Sequence, residues 1–112
     1  MMLRKAEIWK GQYTFRDNKG KPYTNQVTTE KLTDTLFLEF GHRKDNNRPY
    51  NYVSLMRGNF NDPKKGKQLF FTHEVNKKWW VYPDDCLKIL GTHDTKAKAV
   101  QQLREIAEGL KA

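Results

Sequence analysis

Apolar and polar side chains alternate with a period of two through most of this chain, and a helical period appears only in its last stretch. Alternation at 180° per residue describes a half-buried β-strand, so the chain is committed to a sheet with distinct faces. Residues 8–16 carry Trp9, Tyr13 and Phe15 on one parity, with Lys10, Gln12, Thr14 and Arg16 on the other. A turn cluster, Asp17-Asn18-Lys19-Gly20-Lys21-Pro22, follows, which makes 23–29 the returning hairpin strand. After a polar connection at 30–35, Leu36, Leu38 and Phe40 share one face of a buried strand over 36–40. A second turn cluster spans 41–49, and the next strand runs over about 50–57. The longest loop is 58–67. Strands at 69–74 and 78–82 then form a hairpin through Val75, Asn76 and Lys77, and Pro83-Asp84-Asp85 leads into a short strand at 86–90.

The one helical stripe comes last. Val100, Leu103, Ala107 and Leu110 recur at spacings of three and four, widened by Ala99 and Ile106, with Asp94 or Thr95 as N-cap. A single amphipathic helix needs a sheet to cover. The expected fold is therefore α+β: a curved antiparallel sheet of six or seven strands with one C-terminal helix packed on one face. The 112 residues form a single domain, 1–112, long enough for a core without metal or disulfides. Only 37% of residues are hydrophobic, but fourteen are aromatic and bury large areas each. The lone Cys86 cannot form an intramolecular disulfide, and no apolar run follows Met1, Met2 and Leu3. These features predict a cytoplasmic protein without signal peptide or membrane span.

Charge is the main functional signal. Residues 1–67 hold 14 Lys and Arg against 7 Asp and Glu, whereas 68–112 hold 7 against 6. The basic residues concentrate in turns: Arg43, Lys44 and Arg48 in one, Lys64, Lys65 and Lys67 in another, Lys19 and Lys21 in the first hairpin. Such loops, if gathered at one end of the sheet, hold successive phosphates. Otherwise they solvate turns and blunt strand edges. Trp9, Tyr13, Phe15, Tyr50 and Tyr52 are candidates for a stacking platform, with Tyr13, Tyr50 and Tyr52 the better exposed ones, although aromatic residues also serve strands by packing alone. In Trp79-Trp80 the two rings point to opposite faces: one enters the core under the helix, and the other lies outside beside Lys77 and Lys78. That outer Trp is a hot spot for a base or a protein, unless loop 58–67 covers it.

Catalytic chemistry has little support. His42, His73 and His93 lack metal-site spacing, Asp84-Asp85 reads as a turn, and Cys86 opens an apolar strand, which predicts burial. No enzyme activity and no cofactor are expected. The stretch 78–110, with Trp79-Trp80-Val81, Ile89-Leu90-Gly91, Thr92-His93-Asp94-Thr95, Ala99, Leu103 and Ala107, resembles a small β-β-α unit recurrent in bacterial and phage domains. More loosely, it is similar to the arm-type DNA-binding domains of phage integrases, which read DNA with their strands. That resemblance implies a sheet-plus-helix fold and a phage or mobile-element origin.

The expected function is a small basic nucleic-acid-binding protein that prefers single-stranded DNA or RNA to duplex. Arg43, Lys44, Arg48, Lys64, Lys65 and Lys67 would hold phosphates, and Tyr50, Tyr52 and a Trp of the Trp79–Trp80 pair would stack bases. The alternative is a non-catalytic module that docks on an acidic protein surface and inhibits or regulates a partner enzyme. A homodimer through a free sheet edge is compatible with either.

Overall fold

Seven antiparallel strands follow one another in space in the order they occupy in the chain, from β1 to β7, and the sheet stays open. The computed structural model describes residues 7–16, 19–45 and 48–110, with the side chains of Phe15 and of residues 43–50 outside the description. The strands are β1 (Ile8–Arg16), β2 (Pro22–Lys31), β3 (Leu36–Asp45), β4 (Arg48–Arg57), β5 (Lys67–Val75), β6 (Lys78–Pro83) and β7 (Gly91–His93). A single turn of 3-10 helix, Pro63–Lys65, interrupts the β4–β5 connection, and helix α1 covers Lys96–Leu110. The α+β architecture expected from the alternation is the one observed.

Helix α1 lies on the face made by Leu36, Leu38, Val53, Leu55, Trp79 and Val81, with Ala99, Val100, Leu103 and Ala107 facing them. The ladder explains that face. Leu38 pairs with Leu55 and Phe40 with Val53, and Thr72 stands opposite both Val53 and Val81. Thr95, rather than Asp94, caps the helix: its Oγ1 accepts the amide N–H of Lys98 at 3.3 Å. Asp94 instead forms an ion pair with Lys78 of β6, which holds its carboxyl below the usual carboxylate range. Thr95→Ala should therefore cost about 1 kcal/mol, read as a shift in the denaturant midpoint. Arg104 reaches from the helix to Glu30, so β2 is tied to the helix as well as to β3.

Two regions differ from expectation. The 41–49 cluster is not a wide turn, because β3 runs on to Asp45 and β4 starts at Arg48, with Asp45 and Arg48 paired across the ladder. Gly41 and Pro49 are accommodated within the strands. Residues 86–90 are not a strand. Cys86 has φ 59°, which breaks an extended run, and Asp85 Oδ1 accepts the Leu87 amide in a tight turn. Cys86 is consequently exposed rather than buried, and Leu87 and Ile89 are 83% and 53% exposed. The seventh strand is the three residues that follow, Gly91–His93. The β5–β6 hairpin closes through Asn76 and Lys77, both at positive φ (53° and 63°), the pairing that matches strand twist in a two-residue turn. No helix among the described residues is long and apolar enough to cross a membrane.

Candidate nucleic-acid interface

An up-and-down meander sends alternate turns to opposite ends of the sheet. The β1–β2, β3–β4 and β5–β6 turns therefore share one end. The described residues of that end, 16, 19–22, 43–45, 48 and 75–78, hold eight Lys and Arg against one Asp. The corresponding segments at the other end, 31–36, 57–67 and 83–91, hold six against four. Charge is thus polarised along the strands, and the ion pair of Lys78 with Asp94 offsets part of it.

Of the two basic clusters singled out from the sequence, one belongs to this end. Arg43 pairs with Tyr50, Lys44 with Pro49 and Asp45 with Arg48 at the far end of the β3–β4 hairpin. The side chains of Arg43, Lys44, Arg48 and Tyr50 lie outside the described residues. Lys64, Lys65 and Lys67 follow the other end of β4, which at about 3.3 Å per residue is roughly 30 Å away along the strand. The two loops do not form one site.

The basic end is forked. Strand β2 pairs with β3 over four residue pairs only, from Thr28–Phe40 to Lys31–Phe37, while each continues to pair with its hairpin partner beyond that point. The β1–β2 and β3–β4 ribbons therefore separate toward their tips. Arg16, Lys19 and Lys21 belong to one tip, Arg43, Lys44 and Arg48 to the other. Arg16 Nη1 donates to the Gly20 carbonyl at 2.9 Å and tightens its own turn.

The face opposite the helix is covered by the β4–β5 connection across β1 to β4. Thr29 Oγ1 donates to the Phe60 carbonyl at 2.5 Å, Pro63 is buried, and Phe37 packs against Gly58 and Gly66. Lys64 Nζ stands 5.8 Å from the centre of the Tyr13 ring, a cation–π contact, and Lys65 Nζ is 3.8 Å from Asp62. Lys64 is therefore engaged with Tyr13, although its side chain remains exposed. The Tyr13 hydroxyl is pushed up to about 12, first by burial, then by the negative charges of Glu39 and Asp62.

Tyr52 corrects an expectation. It is buried rather than a surface stacker, because its ring lies across Gly41 and its hydroxyl donates to Glu39 Oε2 at 2.8 Å. A Cβ at Gly41 would stand 2.5 Å from the Tyr52 oxygen and 2.6 Å from its Cζ. Gly41→Ala should displace the ring, strip a buried carboxylate of this donor and lower stability by about 2–4 kcal/mol in a urea melt. Trp9 is similarly occupied: its ring lies over Gly11 and 6.2 Å from Tyr13, so it packs along β1.

The Trp79–Trp80 pair divides as its alternation requires. Trp79 is 6% exposed beneath the helix. Trp80 lies half-buried on the other face, where its Nε1 donates to the Val75 carbonyl at 3.2 Å. The described contacts of the β4–β5 connection are with β1 to β4, not with Trp80 on β6. The neighbours of Trp80 on that face were not read from the sequence as ring partners, His73 having been weighed only as a metal ligand. They are Phe71 and His73 of β5 and Tyr82 of β6, and the alternation Phe71-Thr72-His73 against Trp80-Val81-Tyr82 encodes them. Burial pushes the His73 imidazole below its ordinary range. Among the described residues, no group of three or more His, Cys, Asp or Glu is placed to hold a metal ion. Comparison with protein-family models, with curated proteins and with solved structures finds no match to this chain.

Proposed function

We propose that this chain is a small nucleic-acid-binding protein that acts in the cytoplasm and grips phosphates with its forked basic end. The observation that carries this reading is the segregation of eight basic residues into three turns of one end of the sheet. Solubility needs no such polarity, since mixed charge spread over the surface serves it better. A concentrated positive end attracts a polyanion over a Debye length of about 10 Å and orients it on approach. Arg43, Lys44 and Arg48, with Arg16, Lys19, Lys21 and Lys77, supply the phosphate contacts. Lys64, Lys65 and Lys67 add a separate, weaker patch.

The test is a retardation assay at low salt with single-stranded and duplex probes. Retardation that vanishes as salt rises supports the proposal, and its absence for both probes at low salt removes it.

A second reading rests on a different observation. Leu87 and Ile89 project from the 84–90 turn at the opposite, less basic end. Exposed aliphatic side chains beside Asp84 and Asp85 suit a protein partner, so the chain would then bind and inhibit or regulate an enzyme. Affinity capture before and after nuclease treatment separates the two readings. A partner retained after nuclease favours the second, and loss of all bound material favours the first. Among the described residues strand β1 pairs with β2 alone, so a homodimer through that edge fits both.

A further inference from the structure

We infer that Phe71, His73, Trp80 and Tyr82 form a stacking platform for unpaired bases, which makes single-stranded nucleic acid the ligand of the basic end. This rests on the proposed nucleic-acid function and deepens it. An antiparallel sheet with a helix on one face normally turns polar residues to the other. Here the β5 and β6 positions on that face, which no described contact of the β4–β5 connection reaches, are aromatic instead.

The ladder sets these residues in two rows. His73 stands between Tyr52 and Trp80, and Phe71 between Ser54 and Tyr82. The Phe71 and Tyr82 rings stack with centroids 5.5 Å apart and an interplanar angle of 28°. His73 meets Phe71 and Tyr82 edge-on at 5.5 and 5.6 Å. Each of the four is half-buried and so keeps part of its surface open to solvent. The Trp80–Val75 hydrogen bond fixes the indole plane, so little side-chain freedom remains to be lost on stacking.

Charge selects the occupant. The row containing Trp80 is the one nearer the basic end: Lys77 of the β5–β6 turn precedes Trp80 by three positions, and Arg48 precedes Tyr52 by four on β4. A strand whose phosphates are held at the ribbon tips would bring its bases to these rings. A duplex keeps its base faces stacked inside and cannot use them.

The test compares an oligothymidylate of about 15 nucleotides with an abasic phosphodiester strand of equal length, at low salt, by fluorescence anisotropy. The base-bearing strand should bind about tenfold more tightly and quench tryptophan emission. Trp80→Ala should abolish that preference while leaving affinity for the abasic strand unchanged, and Trp80→Phe should restore much of it. Phe71→Ala with Tyr82→Ala provides a second variant that leaves the Trp80 indole in place, and it should weaken the preference as well. Equal binding of the two strands by the unmodified protein would overturn the platform while leaving the phosphate-gripping end intact. A preference that survives both variants would overturn it too. Failure to bind either strand would remove the underlying nucleic-acid reading with it. Equal binding of the strands, with self-association lost in Trp80→Ala, would assign the rings to a second copy of the chain.

Discussion

Replacing Arg43, Lys44 and Arg48 together by glutamine should reduce the salt dependence of single-strand binding by about 2 in the slope of log affinity against log salt. Each phosphate contact releases a condensed counterion, and a single strand gives a slope of about −0.7 per contact. Raising salt from about 50 to 200 mM therefore costs the unmodified protein roughly twentyfold for these three contacts alone. The variant should lose that share of its affinity at low salt and converge on the parent at high salt. The residues stand on the outer part of the β3–β4 ribbon, remote from the helix-covered core, so stability should change little. Removing Lys64, Lys65 and Lys67 is the control for position. They follow the other end of β4, and their loss should alter the slope by less.

The largest effect on stability should come from Trp79 and not from its neighbour. Trp79→Ala empties a site in the core cluster that Trp79 shares with Val81, Ala99, Val100 and Leu103 and should cost about 3–5 kcal/mol. Trp80→Ala removes a half-buried ring from the face opposite the helix and should cost about 1 kcal/mol. Chemical denaturation of the two variants checks the difference directly. A comparable loss in both would mean that the Trp80 face is covered in solution.

Much of the architecture was legible because alternation and turn chemistry agree along the chain. Strand Ile8–Arg16 and the helix core residues Ala99, Val100, Leu103 and Ala107 follow from side-chain spacing alone, whereas Leu110 of the same stripe is left 37% exposed at the helix end. The Cys86 region failed because an apolar run says nothing about backbone handedness. With Cys86 at positive φ, no strand can pass through it, and Leu87 and Ile89 are left outside. Tyr52 was misread for another reason. Its exposure depends on Gly41 across the ladder, which leaves room for the ring, and on Glu39, which takes its hydroxyl. Neither partner is local in sequence.

The site was less legible than the fold. Charge excess in residues 1–67 is plain in the sequence, but its polarity emerges only when a meander assigns alternate turns to alternate ends. That assignment separates Arg48 from Lys64, which charge density alone had grouped. It also adds Lys77, whose place at a basic end depends on the β5–β6 hairpin reversing there. The Phe71, His73 and Tyr82 rings became visible only once the helix had claimed the opposite face.

The short β2–β3 ladder has a dynamic consequence. Four residue pairs, the Arg104–Glu30 ion pair and the Thr29–Phe60 hydrogen bond are prominent among the ties that fasten the β1–β2 ribbon to the rest of the molecule. A ribbon attached by so narrow a seam is a separate cooperative unit, able to open while β3 to β7 stay folded around the helix. Amide hydrogen exchange should report this as a step of lower free energy for the β1 and β2 amides than for those of Val53, Leu55 and Val81. A bound polyanion that bridges the two ribbon tips would close that gap in protection.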